Sequence, residues 1–475
     1  MLFNTIAVAM IGLLAIPLVI GTSLKAPKIT VVALLSVLFL FSSSTWGQLQ
    51  VENTIYSRGS GQLSFSLLNI FLFVAGSAVL IRRLADRQYP QLAPPVTPWF
   101  IAFALLLAAH VLVAIVSGIE VLVALGYSGI LNVLNMLIFM YLVIMAFREE
   151  RGRERLLMVI FALAGVRAVF GLVRYIWFGG DASNPYSNFE RMDIKILFFD
   201  ISDNFVASLA AFCAAWLLTS PQVRMNILKR LALYGFLALE VAAVTLSFRR
   251  AALVGLAMMF AFLLTRVTGR RRLQLLGIAT LVLAVGATVF FEKRLQHVTE
   301  GNGNIFTALI YDITQDKDSG RAGPTGRFYE LWTAAQSMDT PNWFFGLGTW
   351  GTFRGDETAL DYHFGKFDFV HSGFGHIVLK TGLVGLLLFC GLLLAWVRYY
   401  RRHCRTLYGM PRLVADAGFA GFLFWMPTLL IGTPIIEFRT MLLIGMTLAL
   451  PFIATGALAR VAGAVHVPSF RHAAA

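Results

Sequence analysis

Residues 324–388 read PTGRFYELWTAAQSMDTPNWFFGLGTWGTFRGDETALDYHFGKFDFVHSGFGHIVLKTGLVGLLL. The stretch changes character at His371. Before it, glycines, aromatics and charges are interleaved too densely for a bilayer-crossing helix. After Gly373 the run is apolar enough to cross one. The sequence therefore predicts a folded polar segment that hands a histidine to the mouth of a membrane helix. The rest of the chain reads as the frame that holds this segment.

Working outward, the composition fits that frame. The chain has 475 residues, is 58% hydrophobic and 13% charged, with mean hydropathy +0.74. A soluble domain carries about 25% charged residues. Half that charge, with apolar runs along the whole length, predicts an all-α, polytopic membrane helical bundle. About thirteen runs are candidates for crossing, near 2–22, 29–46, 64–81, 99–117, 121–147, 156–178, 199–219, 231–248, 251–265, 273–291, 373–397, 414–433 and 440–458. A bundle of about 12–13 transmembrane helices is expected, with 119–130 as an alternative re-entrant piece. The predicted divisions are an N-terminal transmembrane bundle (1–291), a long exterior loop containing helices (292–372), C-terminal transmembrane helices (373–458) and a cytoplasmic tail (459–475). The first apolar run lacks a basic leader and a small-residue cleavage site, so it reads as a retained helix.

The net charge of +14 does not point to nucleic acid, because the basic residues sit in short clusters between apolar runs. Arg82, Arg83 and Arg87 form one cluster; Arg148, Arg151, Arg153 and Arg155 the next. Arg224, Lys229 and Arg230, then Arg266, Arg270, Arg271 and Arg272, then Arg398, Arg401, Arg402, Arg405 and Arg412 follow. Two spans separate successive clusters, so all fit on the cytoplasmic side. Cys213 and Cys390 lie in apolar runs and Cys404 in a basic loop, so no disulfide framework is indicated.

Against that pattern, Ser247-Phe248-Arg249-Arg250 places two arginines in an exterior turn. An arginine deep in a bilayer costs at least ~2.5–3.5 kcal/mol on insertion scales, so such positions default to a functional hypothesis; the plain alternative is a snorkelling interfacial pair. Arg167 and Arg174 lie two turns apart on one helix face. With Arg191, Arg249, Arg250 and Arg327 they form a phosphate-binding cluster, or else pair with carbonyls or a carboxylate such as Glu240. His371 is either a helix-start residue or a general base. His363, His371 and His376 lack the spacing of zinc ligands on a helix, and Asp316-Lys317-Asp318 reads as a solvated charge run, so no metal is expected. Phe328, Leu331, Trp332, Ala335 and Met338 recur with helical period, predicting a helix lying against the membrane.

Three stretches together resemble the O-antigen ligase and O-antigen polymerase superfamily of bacterial inner-membrane glycosyltransferases. They are LSFRRAALVG between two spans, then TGRFYELW with TPNWFFGLGTW, then HSGFGHIVLKTGLVG entering a span. RMDIKILFFDISDNFVAS carries a weaker similarity, and the whole covers roughly 185–390. Three features depart from the family pattern. One extra residue lies between Pro341 and Gly346, Ser372 stands where members have Asn, and Lys380 where an acidic residue is usual.

The resemblance implies a GT-C-like helical fold and a glycan donor carried on undecaprenyl diphosphate. It implies inverting transfer to a glycan or lipid A-core acceptor at the periplasmic face of the inner membrane, without a metal, other cofactor or nucleotide sugar. Lipopolysaccharide and exopolysaccharide synthesis are the settings it suggests. By position, His371 is the base or acceptor-positioning residue, and Arg249, Arg250 and Arg327 hold the diphosphate with Arg191 assisting. Trp332 and Trp350, with Trp343 and Phe353, are candidate glycan contacts or interfacial anchors. Gly382 and Gly385 read as helix-packing positions. The competing function is a transporter or flippase for an anionic lipid-linked glycan, which would bury its charges near the midplane on broken helices.

Overall fold

A computed structural model describes residues 2–41, 66–85, 94–126, 129–181, 195–221, 223, 225–269, 271–273, 276–277, 327–354, 366–432 and 434–456. Most of the expected span 273–291, residues 292–326 of the long loop with Asp316-Lys317-Asp318, Arg191, His363 and the tail 459–475 lie outside the described residues.

The chain is a helical membrane bundle. Its helices are α1 (Leu2–Lys25), α2 (Pro27–Leu40), α3 (Leu67–Ala85), α4 (Thr97–Val116), α5 (Val121–Gly126), α6 (Asn132–Phe147), α7 (Glu150–Trp177), α8 (Ile201–Thr219), α9 (Ile227–Thr245) and α10 (Arg250–Leu264). After the undescribed loop come α11 (Arg327–Gln336), α12 (Thr340–Phe345), α13 (Gly373–His403), α14 (Gly409–Ile431) and α15 (Phe438–Thr455). Two two-residue strands, β1 (Phe353–Arg354) and β2 (Lys366–Phe367), pair antiparallel between α12 and α13. Among the described residues seven helices are long and apolar enough to cross a membrane, and four apolar helices are shorter. The run at 121–147 is not one span: it divides into the six-residue α5 and the separate α6.

Burial sorts the helices into an inner and an outer set. For α8 and α15, 89% and 94% of the spanning window is inside the protein; for α3 and α4 it is 28% and 22%. A helix apolar all round belongs in the centre, and α15 runs down the middle against α6, α8 and α14. Phe205 of α8 packs on Phe424 and Trp425 of α14, and Trp396 of α13 stacks on Phe419 and packs against Phe422, filling the space between these helices.

The bundle has two chemically different ends. At one, Arg82 donates to the Leu24 carbonyl, Lys28 pairs with Glu149 at 2.5 Å and Arg266 donates to the Tyr400 hydroxyl at 2.8 Å. The described parts of the basic clusters therefore gather there, as their spacing in the sequence requires. At the other end lie the start of α8, the α9–α10 turn, residues 434–439 and the start of α13. There Asn132 donates to the Ile435 carbonyl at 2.9 Å, and Leu197 N–H to the Leu246 carbonyl at 3.0 Å.

Candidate active site

The site is at the second end and begins with the polar segment read from the sequence. The predicted amphipathic helix is α11. Its Ala334, and Met338 just beyond its end, pack with Phe353, Phe367, Val370 and Leu379 in a small core that seats the segment on α13. Asp339 caps α12 by accepting from Asn342 N–H at 3.0 Å, with Pro341 in the first turn.

Two glycines make the close approach between α12 and α13 possible. Gly346 (φ +78°) ends α12, and an added Cβ would lie 2.3 Å from the Lys380 carbonyl carbon. Gly382 kinks α13 (φ +64°, ψ −167°), and a Cβ there would lie 2.2 Å from the Phe344 carbonyl oxygen. Gly382→Ala should therefore destabilise the protein by about 3 kcal/mol or more, through left-handed backbone and overlap with main chain together. Thermal melting in detergent reads this; an unchanged midpoint would show that the segment is not clamped.

Two of the three departures from the family pattern have local reasons. Lys380 is fully buried, and its Nζ donates to the Gly351 carbonyl at 2.6 Å and the Thr349 carbonyl at 3.5 Å, tying down the glycine-rich turn. Ser372 caps α13, its Oγ accepting from Gly375 N–H at 3.1 Å, a role Ser and Asn fill equally well.

His371 stands just before that cap. Its Nδ1 lies 2.8 Å and 3.1 Å from the two carboxylate oxygens of Glu330, and its backbone N–H donates to the same carboxylate at 3.2 Å. Glu330 is 7% exposed at its side chain, whereas His371 is 44% exposed. Phe369 packs its edge against the imidazole, with centroids 5.4 Å apart. The carboxylate fixes Nδ1 as the donor, which leaves Nε2 as the ring's acceptor.

The arginine turn is at the same end. Ser247 Oγ donates to the Ala243 carbonyl at 2.7 Å and accepts from Phe198 N–H at 3.1 Å, closing α9 against the start of α8. Phe248 follows in left-handed backbone (φ +50°) and is buried. Arg249 precedes α10, its guanidinium carbon 4.3 Å from the Phe199 ring centroid. Arg250 is the first residue of α10. Arg327 opens α11, one turn before Glu330, and its side chain lies outside the described residues.

Beneath this turn is a buried ion network. Arg439 is fully buried and donates to Asp200 at 2.7 Å, Asp203 at 2.6 Å and the Leu38 carbonyl at 2.7 Å. Arg167 grips Asp203 with two bonds of 2.7 Å and 3.1 Å. Arg174 pairs with Asp181 at 2.8 Å and donates to the Leu197 carbonyl at 2.7 Å. Glu437, just before α15, accepts from the Thr440 hydroxyl at 2.5 Å. Burial and the Asp200 charge push its carboxyl above the usual carboxylate range, against the opposing pull of Thr440, Arg249 and Arg439.

Several expectations change. Arg167 and Arg174 are spent on Asp203 and Asp181, so they hold the frame; Glu240 is not their partner, and its carboxylate is buried without a hydrogen bond among the described residues. Phe353 is in the small core against Phe367, 5.6 Å between centroids, and cannot stack on a sugar. Trp332 is 62% exposed on the side of α11 away from Glu330, since two helical residues differ by about 200°. Trp350 is half-buried, in the turn that Lys380 ties down.

Glu330, Asp200, Asp203, Glu437 and Arg439 were not singled out from the sequence. Arg439 carried a usable signal: like Arg249, it is a cation in a turn opposite the basic clusters.

Comparison with known families bears on this constellation directly. Residues 233–390 match the family model described as O-antigen ligase. The match bears out the superfamily resemblance drawn from the motifs. It runs from α9 through the arginine turn and Glu330 to the middle of α13, about a third of the chain. The O-antigen ligase match supports a glycan ligase or polymerase role, hence a glycosyltransferase-type enzyme working in a membrane on lipid-linked glycan and an acceptor. No curated protein matches the chain.

Proposed function

We propose that this protein transfers a glycan from undecaprenyl diphosphate to an acceptor hydroxyl, on the membrane face that carries His371. The observation that carries this reading is the His371–Glu330 pair, a half-exposed imidazole clamped by a buried carboxylate within the O-antigen ligase segment. The basic clusters gather at the opposite end of the bundle, so the positive-inside rule supports a periplasmic site in the inner membrane.

In the proposed reaction the acceptor oxygen attacks the anomeric carbon as its proton passes to His371 Nε2. The bond from that carbon to the diphosphate oxygen breaks, and the diphosphate leaves with the bonding pair, inverting the configuration. Glu330 keeps the ring oriented and stabilises the imidazolium that forms. Arg249, Arg250 and Arg327 meet the charge growing on the leaving group, with Arg191 assisting. A guanidinium 4 Å from a phosphate charge contributes roughly 4 kcal/mol at an effective dielectric near 20. Arg167 and Arg174 have no place in this set, because carboxylates already hold them.

The deciding experiment incubates purified protein with undecaprenyl-diphosphate glycan in chelator, offering either a lipid A-core acceptor or a second lipid-linked glycan. Transfer to the first identifies a ligase and to the second a polymerase. Transfer to neither, with the donor carried across a vesicle membrane instead, would establish a transporter. At Arg249, alanine should weaken donor binding about tenfold and lysine less, since lysine keeps the charge and loses the planar fork. Equal losses would argue against a charge-based role.

A further inference from the structure

The basic end holds a feature that positive-inside topology does not require. The C-terminal ends of α8 and α10 and the connection from α13 to α14 border a half-open cavity of about 620 Å³. This size is in the range of small-molecule sites. It lies at the far end of the bundle from His371, because α14 begins beside it and ends beside Gly373.

Arg266, Arg271, Arg405 and Arg412 line the cavity, and Asp416 is the one carboxylate among its lining residues. That carboxylate is almost fully buried and already engaged. It accepts from the Tyr400 hydroxyl at 2.5 Å, Arg412 Nε at 2.9 Å and Trp216 Nε1 at 3.3 Å. Arg266 stands 3.9 Å from it, and Arg266 Nε is buried without a hydrogen-bond partner among the described residues.

Three of the four guanidiniums are held from behind. Arg266 donates to the Tyr400 hydroxyl at 2.8 Å, Arg271 to the Thr219 carbonyl at 3.1 Å and Arg412 to the Cys404 carbonyl at 2.8 Å. Arg412 and Arg266 share the one Asp416 carboxylate, at 2.9 Å and 3.9 Å, whereas Arg271 is held by a carbonyl, which carries no compensating charge. Four arginines, three anchored and Arg405 exposed, against one carboxylate leave the cavity with net positive charge, and the fork of each matches phosphate oxygens. Leu263, Val267 and Leu407 add apolar wall, and Tyr408 is 75% exposed at the rim.

We propose that this cavity binds a phosphoryl anion: the headgroup of an anionic phospholipid in the leaflet meeting the basic end, or free phosphate. A headgroup would set its phosphate among the four arginines and its glycerol and first methylenes against Leu263 and Leu407. Anionic leaflet lipids concentrate beside such basic ends.

The test uses purified full-length protein. Native mass spectrometry measures retention of phosphatidylglycerol against phosphatidylethanolamine, and thermal melting follows added inorganic phosphate. The Arg271→Gln/Arg405→Gln variant should bind phosphatidylglycerol roughly tenfold more weakly. The Arg401→Gln/Arg402→Gln variant, with the same charge removed outside the cavity lining, should bind as the parent does. Stabilisation by inorganic phosphate in the parent, lost in the cavity variant, identifies free phosphate as a ligand; retention of phosphatidylglycerol alone identifies the lipid. Three results would overturn the proposal: equal loss in both double variants, no loss in the cavity variant, or phosphatidylethanolamine held as tightly as phosphatidylglycerol. If the double variant does not fold, Arg405→Gln alone serves, because Arg405 is exposed on the rim.

Discussion

His371→Ala should lower the rate of glycan transfer by about 10²–10⁴-fold, the usual contribution of a positioned general base. Donor binding should stay near that of the parent, since the imidazole acts on the acceptor proton. Glu330→Gln is the sharper companion. It keeps the shape and one hydrogen bond to Nδ1, but an amide can turn its NH₂ to the ring and reverse the tautomer. Its backbone bond to His371 N–H at 3.2 Å also weakens when the acceptor is no longer charged. The expected pattern is a large fall in turnover with little change in donor affinity. Transfer at parental rate by His371→Ala would remove the base assignment. A Glu330→Gln enzyme with parental turnover would reduce that pair to a structural contact.

Arg439→Ala should destabilise the protein by about 3–5 kcal/mol, the range for breaking a buried ion pair from one side. The guanidinium is fully buried and bridges Asp200 to Asp203 while holding the end of α2 through the Leu38 carbonyl. Removing it leaves Asp200 charged in a dry site beside Glu437, whereas Asp203 keeps Arg167. Adding Asp200→Asn to Arg439→Ala should recover part of the loss, because the stranded charge goes with it. Arg439→Lys should fall between, since a single ammonium cannot reproduce three directed bonds. Melting in detergent measures all three; a parental midpoint for Arg439→Ala would show that the network does not hold the bundle together.

These variants separate two kinds of arginine that look alike in the sequence. Arg167, Arg174 and Arg439 are neutralised inside the frame, and Arg249 is stacked on Phe199 at its edge. Glycan-transfer chemistry needs cations that remain available to a leaving diphosphate, and the proposal uses only the second kind.

The membrane frame was legible from sequence because a bilayer demands long apolar runs with internally satisfied backbone, and charge bias sets which ends lie together. The amphipathic α11, the arginine turn and the histidine at the mouth of α13 were legible for related reasons: each is a local pattern or a local violation of one. The division of 121–147 into α5 and α6 was harder to see, because apolar residues flank the break on both sides and hide it.

What sequence alone determined about this protein is therefore its membrane character, the sorting of its two ends and the position of His371. Which carboxylate meets which cation was decided only in three dimensions. Glu330 reaches His371 across 41 residues, and Arg439 reaches Asp203 across 236. A buried charge finds its partner through the packing of whole helices, and no spacing along the chain encodes that packing. The same reason explains why Glu240 looked like a partner for Arg167 and is not one.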